Sequence, residues 1–434
     1  MKKSVGIVGG GIAGMSAAYE LAKKGYQVSV FERDEMLGGL AGSFRIEGEY
    51  LEKFYHHIFV TDTQIISYLK ELGLEERLLW LSSRVGVYYA NSIYRFTSPR
   101  DLLQFSPLTL WDRIRLGLGT LYIRGIKDWK RLDSLTVREF VTKYMGENVY
   151  RVVWQPLFQS KFGKHADQVS AAWLWSKLNI RGPKNKRLKE VLGYLDGGFG
   201  LMFDELEKRV LSMGGKIYKN APAEKIAVVD GKLESVTVNG TVHRFDRLIC
   251  AVPIPIFLNL TSGLPGDYRQ RLAQIEYQNS VCLILKLRKP LSDTYWLNIN
   301  DINVPFVGVI EHTNFHAKDA YGNYHIAYIS KYTNREDPLF AMNKDELLNV
   351  YFPHLKKIFP KLERDWIIDS SLWRENYTQA ITTVNYAARV PGYKTPVKNL
   401  YLVTMAQVFP EDRGMNYGIK TAQQLVDQIL AEQE

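Results

Sequence analysis

Cysteine and long apolar runs are scarce in this sequence. Only Cys250 and Cys282 occur among its 434 residues, and each falls in an apolar stretch typical of a strand. Neither belongs to a C-x-x-C motif, which argues against a dithiol reductase, and two buried unpaired thiols fit a reducing compartment. No run of 18 or more apolar residues is present, so the sequence predicts no transmembrane helix.

Patterns for metal ligands and for nucleophilic catalysis are also missing. The eight histidines are scattered without a paired set of carboxylates, so we expect no metal site. No serine or cysteine nucleophile with its base is visible. The first strand begins within a few residues of Met1, which leaves no room for a signal peptide and predicts a cytoplasmic protein.

Net charge and chain length limit which partners and how many domains the protein is expected to have. The net charge of +10 calls for an acidic partner, which is an anionic cofactor, an acidic substrate or an anionic membrane. The basic residues are dispersed and form no nucleic-acid-binding motif, so we expect no nucleic-acid partner. A chain of 434 residues exceeds one ordinary core, and two domains are expected.

Residues 5–33 carry the most informative pattern. An apolar run leads into Gly9, Gly11 and Gly14, which fit G-x-G-x-x-G ahead of a helical face. Gly9 permits the tight turn, Gly11 leaves room for a pyrophosphate, and Gly14 lets the helix pack closely on the strand. A second strand ends at Glu32, whose carboxylate binds a ribose 2′-hydroxyl and repels a 2′-phosphate. The pattern predicts a dinucleotide-binding unit and disfavours NADP.

A second glycine pair follows in RDEMLGGLAGSF. With it, residues 5–42 resemble the start of the flavin amine oxidase superfamily, which includes protoporphyrinogen oxidases, phytoene desaturases and monoamine oxidases. The resemblance implies FAD as a tightly held cofactor, with the glycine pair against its diphosphate and ribitol. It implies the cofactor-binding residues Gly9, Gly11, Ile12, Ala13, Gly14, Glu32, Arg33, Gly38, Gly39, Leu40, Ala41, Ala223 (at the adenine), Gly414, Met415, Asn416 and Tyr417.

The order of segments is similar to the same superfamily over nearly the full length. SPRDLLQF and TVREFVTKYMGENVYRVVWQPLFQSKFG look most like protoporphyrinogen oxidases. The resemblance implies an α/β fold in which residues 1–60, 195–255 and 391–434 form a discontinuous, glutathione-reductase-like Rossmann FAD domain. It also implies an inserted α+β substrate domain made of residues 61–194 and 256–390.

The residue pattern itself predicts the local structure of these segments. It favours mostly helix from residue 61 to about 195, a hairpin around Asp230 and Gly231, and alternating strands and helices from 256 to about 390. No second G-x-G-x-x-G is present, so we expect no NAD(P)H domain. The electrons that reduce the flavin are then expected to come from the substrate.

The C-terminal segment departs from the family pattern. Relatives carry Gly-Asp or Gly-Glu after the last strand, whereas Thr404 and Met405 stand here, so that ribitol contact is missing or replaced. The nearby PEDRGMNYG places Arg413 just before a helix that begins near Met415. Both the guanidinium and the helix N-terminus would stabilise negative charge on a reduced flavin, which makes Arg413 a candidate catalytic residue. The alternative is a surface turn with an ion pair.

Two histidines, His56 and His57, precede Ile58 and Phe59. Mutases that contract nucleotide-linked galactose carry a similar His-Ile-Phe, and His57 is the matching position. His57 is therefore a candidate catalytic residue, either as in such a mutase or as a proton carrier beside a flavin in an oxidase. The alternative is a pair of histidines bonded to backbone carbonyls in the core or at a domain junction.

Aromatic residues suggest two further features. Tyr377, Tyr386 and Tyr417 are candidates by position for a pair of rings that face the flavin. Residues 100–132 mix tryptophan, tyrosine and leucine with arginine and lysine. This mixture predicts either substrate-domain helices with an apolar core side or peripheral contact with a membrane interface.

The sequence thus predicts an FAD-dependent oxidoreductase of the oxidase or desaturase type, which passes a hydride from an organic substrate to flavin N5. The substrate is expected to be a small molecule, with apolar and polycyclic compounds among the candidates. One alternative is an enzyme like UDP-galactopyranose mutase, which acts on a sugar nucleotide in polysaccharide synthesis without net redox change. Another is a flavin-binding protein without turnover. No pattern indicates an oligomeric state.

Overall fold

The computed structural model describes residues 3–180 and 191–432. In these ranges the strands are β1 (Ser4–Val8), β2 (Gln27–Phe31), β3 (Ser43–Ile46), β4 (Glu49–Glu52), β5 (Ile58–Phe59), β6 (Leu78–Ser82), β7 (Val85–Tyr89), β8 (Ser92–Arg95), β9 (Val191–Leu195), β10 (Lys216–Tyr218), β11 (Ala223–Val229), β12 (Lys232–Val238), β13 (Thr241–His243), β14 (Arg247–Cys250), β15 (Tyr277–Leu287), β16 (Trp296–Ile299), β17 (Gly308–Glu311), β18 (His325–Thr333), β19 (Ile367–Ala380) and β20 (Leu400–Leu402).

The α-helices of the same ranges vary from a single turn to five turns. They are α1 (Ile12–Lys23), α2 (Thr63–Glu71), α3 (Pro99–Gln104), α4 (Leu110–Gly125), α5 (Val137–Tyr144), α6 (Glu147–Val149), α7 (Gln155–Phe162), α8 (Ala171–Ile180), α9 (Gly200–Ser212), α10 (Ile254–Leu260), α11 (Gly266–Ala273), α12 (Pro338–Ala341), α13 (Lys344–Ile358) and α14 (Met415–Ala431).

A five-stranded parallel sheet forms the first layer of the fold. Its strand order is β10-β2-β1-β14-β20, and every neighbouring pair is parallel. The central strands β1 and β14 are buried over nearly their whole length, because parallel sheets are covered on both faces. Helix α1 follows β1 directly and packs against α9 and α14. This sheet confirms the predicted Rossmann-like α/β fold.

A larger mixed sheet carries most of the remaining strands. Its order is β19-β15-β18-β17-β16-β7-β8, with antiparallel neighbours except for the parallel pair β7 and β16. Smaller sheets are formed by β3 with β4, by β5, β9 and β6, and by β11 to β13. The predicted hairpin at Asp230 and Gly231 is confirmed, since β11 and β12 pair antiparallel across it and both residues have positive φ.

The prediction of mostly helix between residues 61 and 195 is wrong for residues 78–95. Strands β6, β7 and β8 occupy that stretch. Strand β6 pairs with β9 and β7 pairs with β16, both far along the chain, while β7 and β8 also pair with each other as a local hairpin. Tertiary pairing therefore overrides a local pattern that reads as helical.

The strands of the two largest sheets come from different segments of the chain. All five parallel strands fall within residues 1–60, 195–255 and 391–434, and all seven strands of the mixed sheet fall within 61–194 and 256–390. The two-domain boundary itself remains a prediction.

Both cysteines are buried and unpaired, as expected. Cys250 lies in β14 and Cys282 in β15, and burial raises the pKa of each thiol. Among residues 3–180 and 191–432, no helix combines the length and the apolar character that crossing a membrane requires.

Candidate active site

The glycine-rich turn lies at the carboxyl end of β1 and leads into α1. Gly9 has φ +105°, and a Cβ there would lie 2.6 Å from the Ala251 carbonyl oxygen. A Cβ on Gly14 would lie only 1.9 Å from the Gly9 carbonyl oxygen. Both positions therefore require glycine for the fold itself, as predicted for the tight turn and for close packing of α1.

Gly11 has a different environment from the other two glycines. Its nearest neighbours to an added Cβ are the Gly38 carbonyl oxygen and the Gly39 Cα, both at 3.9 Å. The first amides of α1, at Ile12, Ala13 and Gly14, have no carbonyl one turn earlier to bond, so they face the space in front of the helix. A diphosphate fits this open, amide-lined space.

The second glycine pair packs directly on the first turn. The Gly38 amide donates to the Gly10 carbonyl at 2.9 Å, and a short 3₁₀ helix spans Gly39–Ala41, with Leu40 at its centre. The two glycine loops thus meet at the carboxyl ends of β1 and β2. That edge of a parallel sheet is where nucleotides bind in this architecture.

Glu32 stands at the end of β2, buried beside the glycine turn. Its carboxylate accepts hydrogen bonds from the Gly10 amide at 2.6 Å and the Asp34 amide at 3.0 Å. Burial raises the pKa of this carboxyl, and the two amides oppose the rise. The Arg33 guanidinium does not share this position, because it turns outward and pairs with Glu375 of β19 at 2.9 Å.

The predicted adenine contact lies close to Glu32 in the fold. The Ala221 amide donates to the Glu32 carbonyl at 2.7 Å, and Ala223 begins strand β11 two residues later. The structure therefore brings the middle segment of the chain to the end of β2, where the sequence places the adenosine.

Helix α14 begins at Met415, as predicted, and its first turn lies against α1. A Cβ on Gly418 would lie 2.5 Å from Ile12 Cγ2, so the first turns of the two helices are in contact. The Asn416 side-chain oxygen accepts from the amides of Gln64 at 2.9 Å and Ile65 at 3.2 Å. The Asn416 side chain therefore caps α2, while half-buried Gly414 and Tyr417 lie at the start of α14.

Asp412 is the centre of a buried charged cluster. Its Oδ1 accepts from Gln379 Nε2 at 2.6 Å, while its Oδ2 pairs with Lys161 Nζ at 3.5 Å and with Lys177 Nζ. Burial disfavours the carboxylate, but the Lys161 and Lys177 ammonium groups outweigh this and hold the pKa of Asp412 well below its usual range. In PEDRG, Pro410 and Asp412 are therefore buried, while Glu411, Arg413 and Gly414 are half-buried.

Arg413 joins this cluster to the mixed sheet. Its guanidinium donates to the Thr378 carbonyl on β19 and to the Tyr332 hydroxyl on β18 at 3.2 Å. Burial alone would raise the pKa of Tyr332, yet the charges of Arg413 and Lys161 lower it. A phenol that ionises more easily inside a protein reports a positive local potential.

A cleft opens beside the cluster. It is partly open to solvent and is lined by Gln379, Ala380, Thr382, Met405, Val408, Glu411, Asp412 and Arg413. Thr404 stands in place of the usual Gly-Asp and is the N-cap of the short helix Met405–Gln407. Its amide donates to Gln407 Oε1 at 2.8 Å.

His57 lies in an aromatic group around the same region. Its Nδ1 is 3.2 Å from the Tyr295 hydroxyl, and its ring meets Phe59 and Trp296 edge-on with centroids 5.1 and 5.7 Å apart. Neighbouring His56 is held by the Phe54 carbonyl, 2.6 Å from its Nδ1. Burial lowers the pKa of His56 to about 4, and the Arg413 charge adds to this effect.

The predicted group of three tyrosines is wrong for Tyr386. Its side chain is fully buried in the core and its hydroxyl donates to the Ala406 carbonyl at 2.9 Å, so the ring does not face the cleft. Tyr377 stacks edge-on against Tyr277 and lies under the Arg335 guanidinium. Tyr55 and Trp296 are further half-buried rings of this region, and they meet edge-on with their centroids 4.8 Å apart.

Comparison with known proteins identifies the family. The family model for flavin-containing amine oxidoreductases matches residues 12–424. A 15-cis-phytoene desaturase of Synechococcus elongatus is 26% identical over 56% of this chain and 55% of its own. Coproporphyrinogen III oxidase of Staphylococcus aureus is 24% identical over 62% of this chain and 64% of its own. The chain thus spans between half and two thirds of these relatives.

The fold is also shared with solved structures. Reduced UDP-galactopyranose mutase superposes with a TM-score of 0.78 at 16% identity, covering 99% of this chain and 96% of the mutase. The chain belongs to the flavin-containing amine oxidoreductase family. FAD is its cofactor. The open space at Gly11, the amides of α1 and buried Glu32 fit that cofactor.

Several residues of the site escape sequence reasoning. Lys161, Lys177 and Tyr332 lie on α7, α8 and β18, 80 or more residues from Asp412 and Arg413 in the chain. No local motif marks the two lysines or Tyr332. The one available signal is the charged tripeptide at 411–413, since adjacent charges inside an apolar segment require buried partners.

Proposed function

We propose that this protein is an oxidase or desaturase that removes a hydride from a small organic substrate bound in the cleft beside Arg413. When bound, FAD supplies the N5 acceptor for that hydride. The observation that carries the proposal is the contact of the first turns of α1 and α14. One turn suits the diphosphate, and the other adjoins the positive cluster around Asp412.

The cluster around Asp412 acts through charge. Lys161, Lys177 and Arg413 carry three positive charges against the carboxylate of Asp412. Two of these cations pair with Asp412, and the guanidinium is fixed by Thr378 and Tyr332, so the positive field is in place before the reaction begins. A preorganised field of this kind favours negative charge that develops in the cleft.

His57 is the proton carrier of this proposal. Its Nδ1 lies within hydrogen-bonding reach of the Tyr295 hydroxyl, which fixes the ring orientation. The edge-on contacts with Phe59 and Trp296 further restrict the imidazole. An oriented imidazole can accept the proton that leaves the substrate together with the hydride.

Protoporphyrinogen oxidases and phytoene desaturases suggest the substrate class. Two relatives are named for coproporphyrinogen III and for 15-cis-phytoene. The first of these compounds is polycyclic and the second is a polyene. The aromatic rings of Tyr55 and Trp296 suit such an apolar substrate. We extend this class to the present chain as part of the proposal.

A second candidate function is a mutase that acts on a sugar nucleotide. The His57-Ile58-Phe59 segment supports it, and a positive cluster also suits a diphosphate. The oxidised protein would then leave its substrate unchanged, whereas an oxidase reacts with it.

One anaerobic experiment separates the two functions. The purified protein should be yellow and should release FAD on heating. Porphyrinogens, carotenoid precursors, amines and UDP-sugars are then mixed with the oxidised protein and, separately, with protein reduced by dithionite. An oxidase bleaches the flavin absorption in the oxidised series. Turnover of a UDP-sugar in the reduced series alone supports the mutase, and recovery of NAD instead of FAD contradicts both.

A further inference from the structure

Helices α3 and α4 present a large apolar surface to solvent. Trp111, Leu118 and Leu121 are 64%, 60% and 66% exposed. Seven large apolar side chains of the two helices are exposed in this way, and we call them the α3–α4 face: Leu103, Leu110, Trp111, Ile114, Leu118, Leu121 and Tyr122. A group of exposed apolar side chains on two helices in contact marks an interaction site.

The opposite side of α4 already belongs to the core. Leu116, Gly119 and Ile123 are buried there, and a Cβ on Gly119 would lie 2.4 Å from Met145 Cγ. Helix α4 is therefore apolar on both its inner and its outer side. Packing in the core does not account for the apolar side chains on the outer side, because an ordinary surface helix is polar where it faces water.

Charge around the face identifies the kind of partner. Residues 99–131 hold seven lysines and arginines against three aspartates, a net charge of +4. Arg100, Lys127 and Lys130 are exposed, and Arg124 is half-buried at the last turn of α4. Two copies of this chain that met through the face would oppose these positive charges, whereas an anionic surface would neutralise them.

We propose that the α3–α4 face docks this protein on an anionic lipid bilayer. Helix α4 then lies in the plane of the interface, with its 16 residues extending about 24 Å along the surface. The leucines and Trp111 enter the boundary between headgroups and acyl chains, while the arginines and lysines contact the headgroups. This attachment is independent of the reaction in the cleft.

Vesicle flotation of the FAD-loaded full chain tests the proposal. The vesicles are phosphatidylcholine alone or with about 30 mol % phosphatidylglycerol. Wild type should float with the anionic vesicles and much less with the neutral ones. The double variant Leu118→Ser/Leu121→Ser should lower the partition coefficient at least about tenfold, since two leucines leave the interface.

The matched control replaces two equally exposed residues elsewhere. Val229→Ser/Val242→Ser removes apolar side chains that are 53% and 52% exposed on β11 and β13. This variant should float like wild type, and both variants should keep the wild-type FAD content. Equal flotation of the leucine variant, or no flotation of wild type, overturns the proposal. So does a wild-type dimer that the leucine substitutions convert to a monomer, because a second copy would then cover the face.

Discussion

Arg413 offers the most direct test of the electrostatic role of the cleft. Its guanidinium is fixed by Thr378 and Tyr332 and lies close to the start of α14. Arg413→Met keeps most of the side-chain length and removes the charge. We expect the flavin midpoint potential to fall by about 30 mV, which corresponds to about 1.4 kcal/mol for a two-electron couple. Spectroelectrochemical titration measures the shift.

The control for Arg413→Met is an arginine outside the cluster. Arg335 is exposed and lies three residues after Tyr332 in the chain. Its guanidinium donates to the Tyr377 hydroxyl at 2.6 Å. Arg335→Met should leave the potential at the wild-type value. Arg413→Lys should recover part of the loss, because lysine restores the charge without the planar fork. A wild-type potential in Arg413→Met would show that the cluster does not act on the flavin.

Glu52 predicts a pH dependence of stability. It is fully buried, accepts from the Phe199 amide at 2.7 Å and the Tyr194 hydroxyl at 2.9 Å, and burial raises its pKa to about 7. The pKa of Glu52 is near 4.5 in the unfolded chain, so between pH 4.5 and pH 7 the folded state binds a proton that the unfolded state has lost. The free energy of unfolding therefore falls as pH rises through that window.

Glu52→Gln removes this titration while keeping the side-chain shape. The unfolding free energy of the variant relative to wild type should therefore increase between pH 5 and pH 8, by on the order of 1–3 kcal/mol. Urea unfolding at both pH values with saturating FAD measures the difference. Glu49→Gln changes an exposed carboxylate of the same strand β4 and should show no such trend. A difference that is constant with pH would mean that Glu52 is ionised throughout.

At the level of helices and strands, the two glycines of the first turn have separable roles. A Cβ on Gly14 meets the Gly9 carbonyl at 1.9 Å, whereas one on Gly11 meets nothing closer than 3.9 Å, and Gly11 has φ −70°. Gly14→Ala should destabilise the FAD-free protein by about 3 kcal/mol, because β1 and α1 must separate. Gly11→Ala should cost less than about 1 kcal/mol but weaken FAD binding at least about tenfold.

Urea unfolding of the FAD-free proteins and fluorescence titration with FAD measure the two effects. The pair forms its own control, since the chemical change is the same at both positions. Comparable losses of stability in the two variants would contradict the assignment of Gly11 to the cofactor and Gly14 to packing.

The contrast between β1 and β6 shows which elements the sequence predicts. The β1-α1-β2 unit is predictable because its glycine spacing, apolar strands and terminal acid all lie within about 30 residues. Strand β6 is not, since its partner β9 begins more than 100 residues later and its own pattern reads as helical. The start of α14 near Met415 is predicted correctly, yet the partners of Arg413 lie on strands that no local pattern connects to it.

For the whole molecule, FAD binding should couple distant parts of the chain in one unfolding transition. The parallel sheet takes β1 and β2 from the N-terminal segment, β10 and β14 from the middle and β20 from the C-terminal segment. The predicted cofactor residues come from the same three segments. Loss of any one segment therefore removes part of the site, and FAD release should coincide with loss of the sheet.

Mass action gives the size of this effect. A ligand that binds only the folded state stabilises it by about 2.7 kcal/mol at a hundredfold excess over its Kd. For a chain of 434 residues this corresponds to a rise of about 3 °C in Tm. Flavin fluorescence and circular dichroism recorded in one thermal scan should give coincident midpoints that rise with the logarithm of FAD concentration. NAD at equal concentration should leave the midpoint unchanged, because we propose that the site binds FAD and not NAD.

FAD release well below the unfolding midpoint would contradict this prediction. It would show that the C-terminal segment opens independently and that the three segments do not form one cooperative site.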